Sequence, residues 1–260
     1  MQLYDAVVAA PHDDAPRLAM ADYLDRQGDP WGAFIRAQLA LSRALRRGAT
    51  DEAMRHRDEA EKLRRQHSKA WTNGVEKLVD LCTFSRGFVE EVSVEARQYI
   101  AHADELFRRA PIRHLSLSDV GDQLITILQN PRITQLVSLY LGNRSRHHAI
   151  GDAGLRVVAE CPYLSGLKVL EVPKQDIGMA GVEALCASKR LPSLVYVNLW
   201  GNPVEDPEEG YGTDWVTGEV DRNGAYLSEL GHALEAKYGD LPWLHAPSRL
   251  LNYPPRMEEF

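Results

Sequence analysis

The chain has 260 residues, 44% of them hydrophobic and 26% charged, which suits a folded globular protein with a sizeable core and excludes disorder over most of its length. The formal net charge of −7 is unevenly placed: +1 over residues 1–72, 0 over 73–200 and −8 over 201–260. This balance disfavours nucleic acid or an anionic membrane as partner, since both require displacement of counterions by Lys and Arg, and it leaves room for local basic patches.

The N-terminus "MQLYDAVVAAPHDDAPR" lacks a basic region before its short apolar run, and no later stretch reaches the roughly 20 apolar residues of a membrane helix. A cytoplasmic location is the expectation. Pro11 and the Asp13-Asp14 pair mark a helix start, and Leu18, Ala21, Tyr23 and Leu24 supply its apolar side. Gly28-Asp29-Pro30 ends that helix and opens a second, with Phe34, Ile35, Gln38, Leu39 and Leu45. Within this small helical pair, Arg17 is expected to form an ion pair with Asp22 or Asp29. A catalytic use of Asp13, Asp14, Arg17 and Asp22 would need a water-poor pocket larger than two helices provide.

Residues Asp13, Asp14, Arg17, Leu18, Ala21, Asp22, Leu24, Gly28, Asp29, Phe34, Ile35 and Gln38 follow in order a pattern that resembles the bacterial repeat-companion domain. Tyr23 stands where that family usually has Trp, and Ala33 where it has an acidic residue. The resemblance implies a helical module ahead of a repeat array, and residues 1–72 are assigned to it together with a linker. Residues 48–72 are strongly charged, with Met54, Leu63 and Trp71 as sparse apolar positions, and are expected to form a solvated helix.

Residues 73–204 carry a recurring apolar frame. "LPSLVYVNLWGN" places Leu194, Val197, Leu199 and Asn202 on the pattern L-x-x-L-x-L-x-x-N. Upstream, the frame recurs at Leu167, Leu170 and Val172, with Gln175 in place of the Asn; at Leu136, Leu139 and Leu141; at Ile112, Leu115 and Leu117; and at Val89, Val92 and Val94. The middle positions are separated by 23, 24, 31 and 27 residues, near the leucine-rich repeat length of about 20 to 29. Segments of helical periodicity, such as "EARQYIAHADELFRRAP" and "GDAGLRVVAECP", alternate with these rungs. The stretch 86–204 therefore resembles ribonuclease-inhibitor-like leucine-rich repeats, which implies an α/β solenoid with a concave parallel sheet and convex helices, between an N-terminal and a C-terminal helical cap. The alternative, a doubly wound α/β enzyme, calls for continuous apolar strands, whereas Ser, His, Glu and Tyr alternate with the apolar positions here.

The polar strand positions Glu91, His114, Ser116, Ser138, Tyr140, Glu171, Tyr196, Asn198 and Trp200 are the candidate partner-binding residues on the concave face. Trp200 serves equally as an interface anchor or as packing for the C-terminal cap. The glutamates favour a basic protein partner. Residues 205–260 leave the frame and are assigned as the cap, with Tyr226, Leu227, Leu230, Ala233 and Leu234 as a helical stripe and Trp243 and Leu244 over the last rung.

No phosphate loop, dinucleotide fingerprint or metalloprotease motif is present. Cys82, Cys161 and Cys186 are too dispersed for a disulfide framework or a paired-cysteine metal site, and His147-His148 lacks nearby ligands to complete one. No cofactor and no metal are expected. Non-catalytic binding of another protein is the leading expectation, with an inhibitor or immunity protein as the alternative and an enzyme as the third.

Overall fold

The computed structural model describes residues 2–143, 148–205, 216, 219–221 and 224–246. The described residues divide into two compact units, residues 2–93 with 102–114 and residues 94–101 with 115–246. Among them the fold is α/β, with six strands in one sheet, and no helix is long and apolar enough to cross a membrane.

The first unit opens with four helices: α1 (Gln2–Ala9), α2 (Ala15–Arg26), α3 (Pro30–Arg46) and α4 (Thr50–Trp71). Asp13 accepts a hydrogen bond from the Ala15 amide at 2.8 Å, and Asp29 caps α3 by accepting from the Trp31 amide at 2.9 Å. Both bonds satisfy amides that a helix start leaves without partners. Val7, Met20, Ala21, Leu24, Ile35 and Leu39 bury one core with Phe88, while Phe34, Ala37, Ala60 and Trp71 form another.

The second core corrects the expectation for α4. This helix lays Ala53, Ala60 and Trp71 against α3, and Trp71 stacks on Phe34 with ring centres 4.8 Å apart. Small alanines on one face admit close helix approach, so a charged segment can pack without a stripe of large residues. Its outer face is as expected, with Glu61 held by Arg64 and Arg65 at 2.7 and 2.9 Å.

A β-hairpin completes this unit. Strand β1 (Leu81–Ser85) runs antiparallel to β2 (Phe88–Glu95) through a two-residue turn in which Arg86 has φ 49° and Gly87 φ 91°. Two positive φ angles give the turn the twist of its flanking strands. A side chain at Gly87 would meet Ile35 at 2.5 Å, so the turn lies hard against α3. The fifth apolar frame is β2, with Val89, Val92 and Val94 all buried.

Downstream, helices and strands alternate: α5 (Ala96–Arg109), β3 (His114–Ser118), α6 (Leu124–Leu128), β4 (Ser138–Gly142), α7 (Gly151–Glu160), β5 (Val169–Glu171), α8 (Met179–Ala187) and β6 (Tyr196–Asn198). Sheet order follows chain order from β1 to β6. In the parallel pairs β4–β5 and β5–β6, Leu139 stands opposite Leu170 and Leu170 opposite Val197, so the sequence frame gives the strand register directly.

The C-terminal segment contains a small hairpin, β7 (Glu219–Asp221) with β8 (Gly224–Tyr226), then α9 (Glu229–Tyr238) and a 3-10 turn, Pro242–His245. The expected helical stripe begins too early: Tyr226 belongs to β8, and the Ser228 hydroxyl caps α9 by accepting from the Gly231 amide at 2.9 Å. Ala233 is exposed, while Leu227 and Leu234 are buried. The 3-10 turn packs on β6, and its Trp243 and Leu244 are buried.

Candidate functional site

Strand alternation sorts the side chains of β4, β5 and β6 onto two faces. Leu139, Leu170 and Val197 share one face and are fully buried. On the other stand Ser138, Val169 and Tyr196 in one row and Tyr140, Glu171 and Asn198 in the next.

The nine residues assigned to this face from sequence differ sharply in access. His114, Ser138, Glu171 and Tyr196 are buried, at 2, 3, 6 and 2% exposure. This corrects the expectation of a wholly wet face. Alternation identifies which side of a strand a residue takes, but not what covers that side. Glu91, Ser116, Tyr140 and Asn198 are half-buried, and Trp200 is 48% exposed.

The accessible residues are organised by short contacts. Glu171 Oε2 accepts from Asn198 Nδ2 at 3.3 Å, and Asn198 Oδ1 accepts from the Trp200 amide at 3.0 Å. The Lys174 ammonium lies over the Trp200 indole, 4.3 Å from the ring centre, a cation–π contact that holds a large exposed aromatic in place. Lys174 also donates its amide to the Trp200 carbonyl at 2.9 Å. The Tyr140 ring lies over Gly142, where any Cβ would collide with it. Burial raises the Tyr140 phenol above its ordinary value, and the Glu171 charge adds to the shift. Lys174 escaped sequence reading because it lies in a turn beyond the apolar frame; its left-handed φ of 55° gave no signal in the sequence.

Beneath these residues a neutral amide network fixes the loops. Asn202 Oδ1 accepts from the amides of Gln175 at 2.7 Å and Ile177 at 3.1 Å. Its Nδ2 donates to the carbonyls of Val172 and Leu199 at 2.8 and 2.6 Å. Gln175, one frame upstream, accepts from the Ile150 amide at 3.2 Å through Oε1. Asn202 and Gln175 are both buried, so their amides replace the water these backbone groups would otherwise need.

The first unit holds a second polar cluster, of a different kind. Glu90 is fully buried and receives three arginines: Arg17 by a direct hydrogen bond, Arg86 Nη2 at 2.9 Å from Oε1, and Arg113 Nη1 at 3.3 Å from Oε2. Arg86 further reaches Asp14 at 3.2 Å and the Pro11 carbonyl at 2.5 Å, and Arg17 donates to the Asp13 carbonyl at 2.8 Å. The expected Arg17 pairing with Asp22 or Asp29 is not formed: Asp22 pairs with Arg36, and Asp29 caps α3. Gln38 completes the grip by accepting from the Gly87 amide at 2.7 Å, while Trp31 Nε1 donates to the Gly87 carbonyl at 2.8 Å. The helical motif residues therefore clasp the hairpin turn.

Burial lowers the Arg17 and Arg113 guanidiniums from their ordinary range, with Glu90 opposing the shift. His114 is pushed down to about 3, first by burial and then by the charges of Arg113, Arg86 and His12. Arg17, Arg86, Glu90, Arg113 and His114 are all buried, at 0 to 6% exposure. His147 lies outside the described residues, as does the tail after Ala246, so the His147-His148 pair and "NYPPRMEEF" have no place in this geometry.

No family model matches the chain, and comparison with curated proteins and with solved structures gives no match either.

Proposed function

We propose that the chain is a leucine-rich repeat protein whose N-terminal helices serve as a repeat-companion cap, and that it acts without catalysis by binding another protein. The binding surface is the accessible end of the sheet face: Tyr140, Asn198, Trp200 and Lys174. The observation that carries this reading is Trp200, a large aromatic left 48% exposed yet clamped by Lys174 and Asn198. An aromatic already fixed in position gives up little side-chain freedom when it is covered, which is what an interface anchor requires. The recurring apolar frame, its register across β4 to β6 and the Asn202 network support the repeat assignment. The carboxylate of Glu171 at the base of the patch suits a partner with a basic or hydrogen-bond-donating group, and the acidic balance of the chain disfavours nucleic acid.

The test is affinity capture from the native cell with the full chain and with Trp200→Ala and Tyr140→Ala. The expected result is a discrete protein retained by the wild type, lost from both variants at unchanged melting temperature, and released as salt rises. Equal retention by all three chains removes this surface from the account.

A further inference from the structure

We infer that Glu235, Asp240 and His245 form a binding site for a transition-metal dication of the zinc class. One ligand atom from each lies within 4.8 Å of the other two. His245 Nε2 is 3.0 Å from Glu235 Oε1 and 3.5 Å from Asp240 Oδ1. Zinc binds imidazole nitrogen and carboxylate oxygen at about 2.0–2.2 Å, and ligand atoms at that radius are about 3.0 Å apart in octahedral and about 3.4 Å apart in tetrahedral geometry. The two His245 spacings match these values, and Glu235 and Asp240 offer oxygens within 4.8 Å of each other.

Three separate pieces of chain supply the donors. Glu235 lies on α9, Asp240 in the loop beyond it and His245 at the end of the 3-10 turn. Gly239, with φ 92°, turns the chain back so that the later two residues return to Glu235. Asp240 and His245 are 83 and 47% exposed in their side chains, so solvent and ions have free access. A neutral imidazole and two carboxylates carry two negative charges, which a dication neutralises. The nitrogen ligand selects zinc, nickel or cobalt over magnesium and calcium, which prefer all-oxygen sets. The sequence hid the set because its spacing, 235, 240 and 245, follows no metal motif and mixes helix with loop.

The site joins α9 to the turn that buries Trp243 and Leu244, so metal binding fastens that turn to the helix. The inference is independent of the proposed partner surface. It is tested by titrating Zn²⁺ into the chelator-treated full chain at pH 7.5 by calorimetry, with Mg²⁺ and Ca²⁺ as comparison ions. We expect one equivalent of Zn²⁺ bound, at least tenfold weaker binding in both Asp240→Asn and His245→Ala, and unchanged binding in His56→Ala and in the double variant His147→Ala/His148→Ala. Asp240 is exposed enough that its variant keeps the fold, which circular dichroism verifies. Absence of Zn²⁺ binding by the wild type, or equal affinity in Asp240→Asn, overturns the assignment.

Discussion

The two units solve one problem, how to fix a buried turn, with opposite chemistry. In the first, charged groups from α2, the hairpin and Arg113 converge on Glu90. In the second, the neutral amides of Asn202 and Gln175 satisfy backbone groups across successive loops. A buried ion cluster carries a large desolvation cost that its partners must offset, so loss of one member leaves charge stranded. A buried amide loses only its hydrogen bonds, and the damage stays local. The ionic network therefore makes the first unit the more brittle of the two, sensitive to substitution of any one member.

Substitution at the centre of each network separates the two cases. Glu90→Gln keeps the side-chain volume but leaves Arg17, Arg86 and Arg113 without their shared carboxylate, and we expect a loss of about 3–5 kcal/mol by urea unfolding. Asn202→Ala strands the buried Gln175 and Ile177 amides, with an expected loss of about 2–3 kcal/mol in the same assay. Comparable losses would erase the contrast.

Acid should act through His114. Its folded-state pKa of about 3 lies below the ordinary value of 6.5 for the unfolded chain, so between these limits the unfolded chain holds the extra proton. The stability contributed by the neutral ring is complete above pH 6.5 and is lost as pH falls toward 3. The expected slope is about 1.4 kcal/mol per pH unit in that window. In His114→Gln that component should vanish, and urea midpoints measured from pH 7 to pH 4.5 report it. Smallest of all is the expected stability effect of Trp200→Ala, under about 0.5 kcal/mol for a half-exposed side chain, measured as the shift in urea midpoint.

The second unit was the more legible in sequence. An apolar frame recurring every two dozen residues or so fixed strand positions and even register, because period-two alternation and stacking leave few other solutions. In the first unit Arg17 stood out within a motif, but its partner Glu90 lies 73 residues away and looks like any strand glutamate. Glu91, next to it, drew attention as the polar strand position. Alpha-helix α4 was misjudged because Ala53 and Ala60 carry no hydrophobic signal, although they pack. On the sheet face, Glu91, Ser116, Tyr140, Asn198 and Trp200 keep solvent access, while strand alternation gives no warning that His114, Ser138, Glu171 and Tyr196 are covered.

The central claim is that Trp200 touches a partner protein. A photo-crosslinking amino acid placed at Trp200, and separately at the somewhat more exposed Ile125 of α6, tests it in the native cell. The account predicts a discrete adduct from position 200 and none from position 125; adducts from neither position, or the same adducts from both, would contradict it.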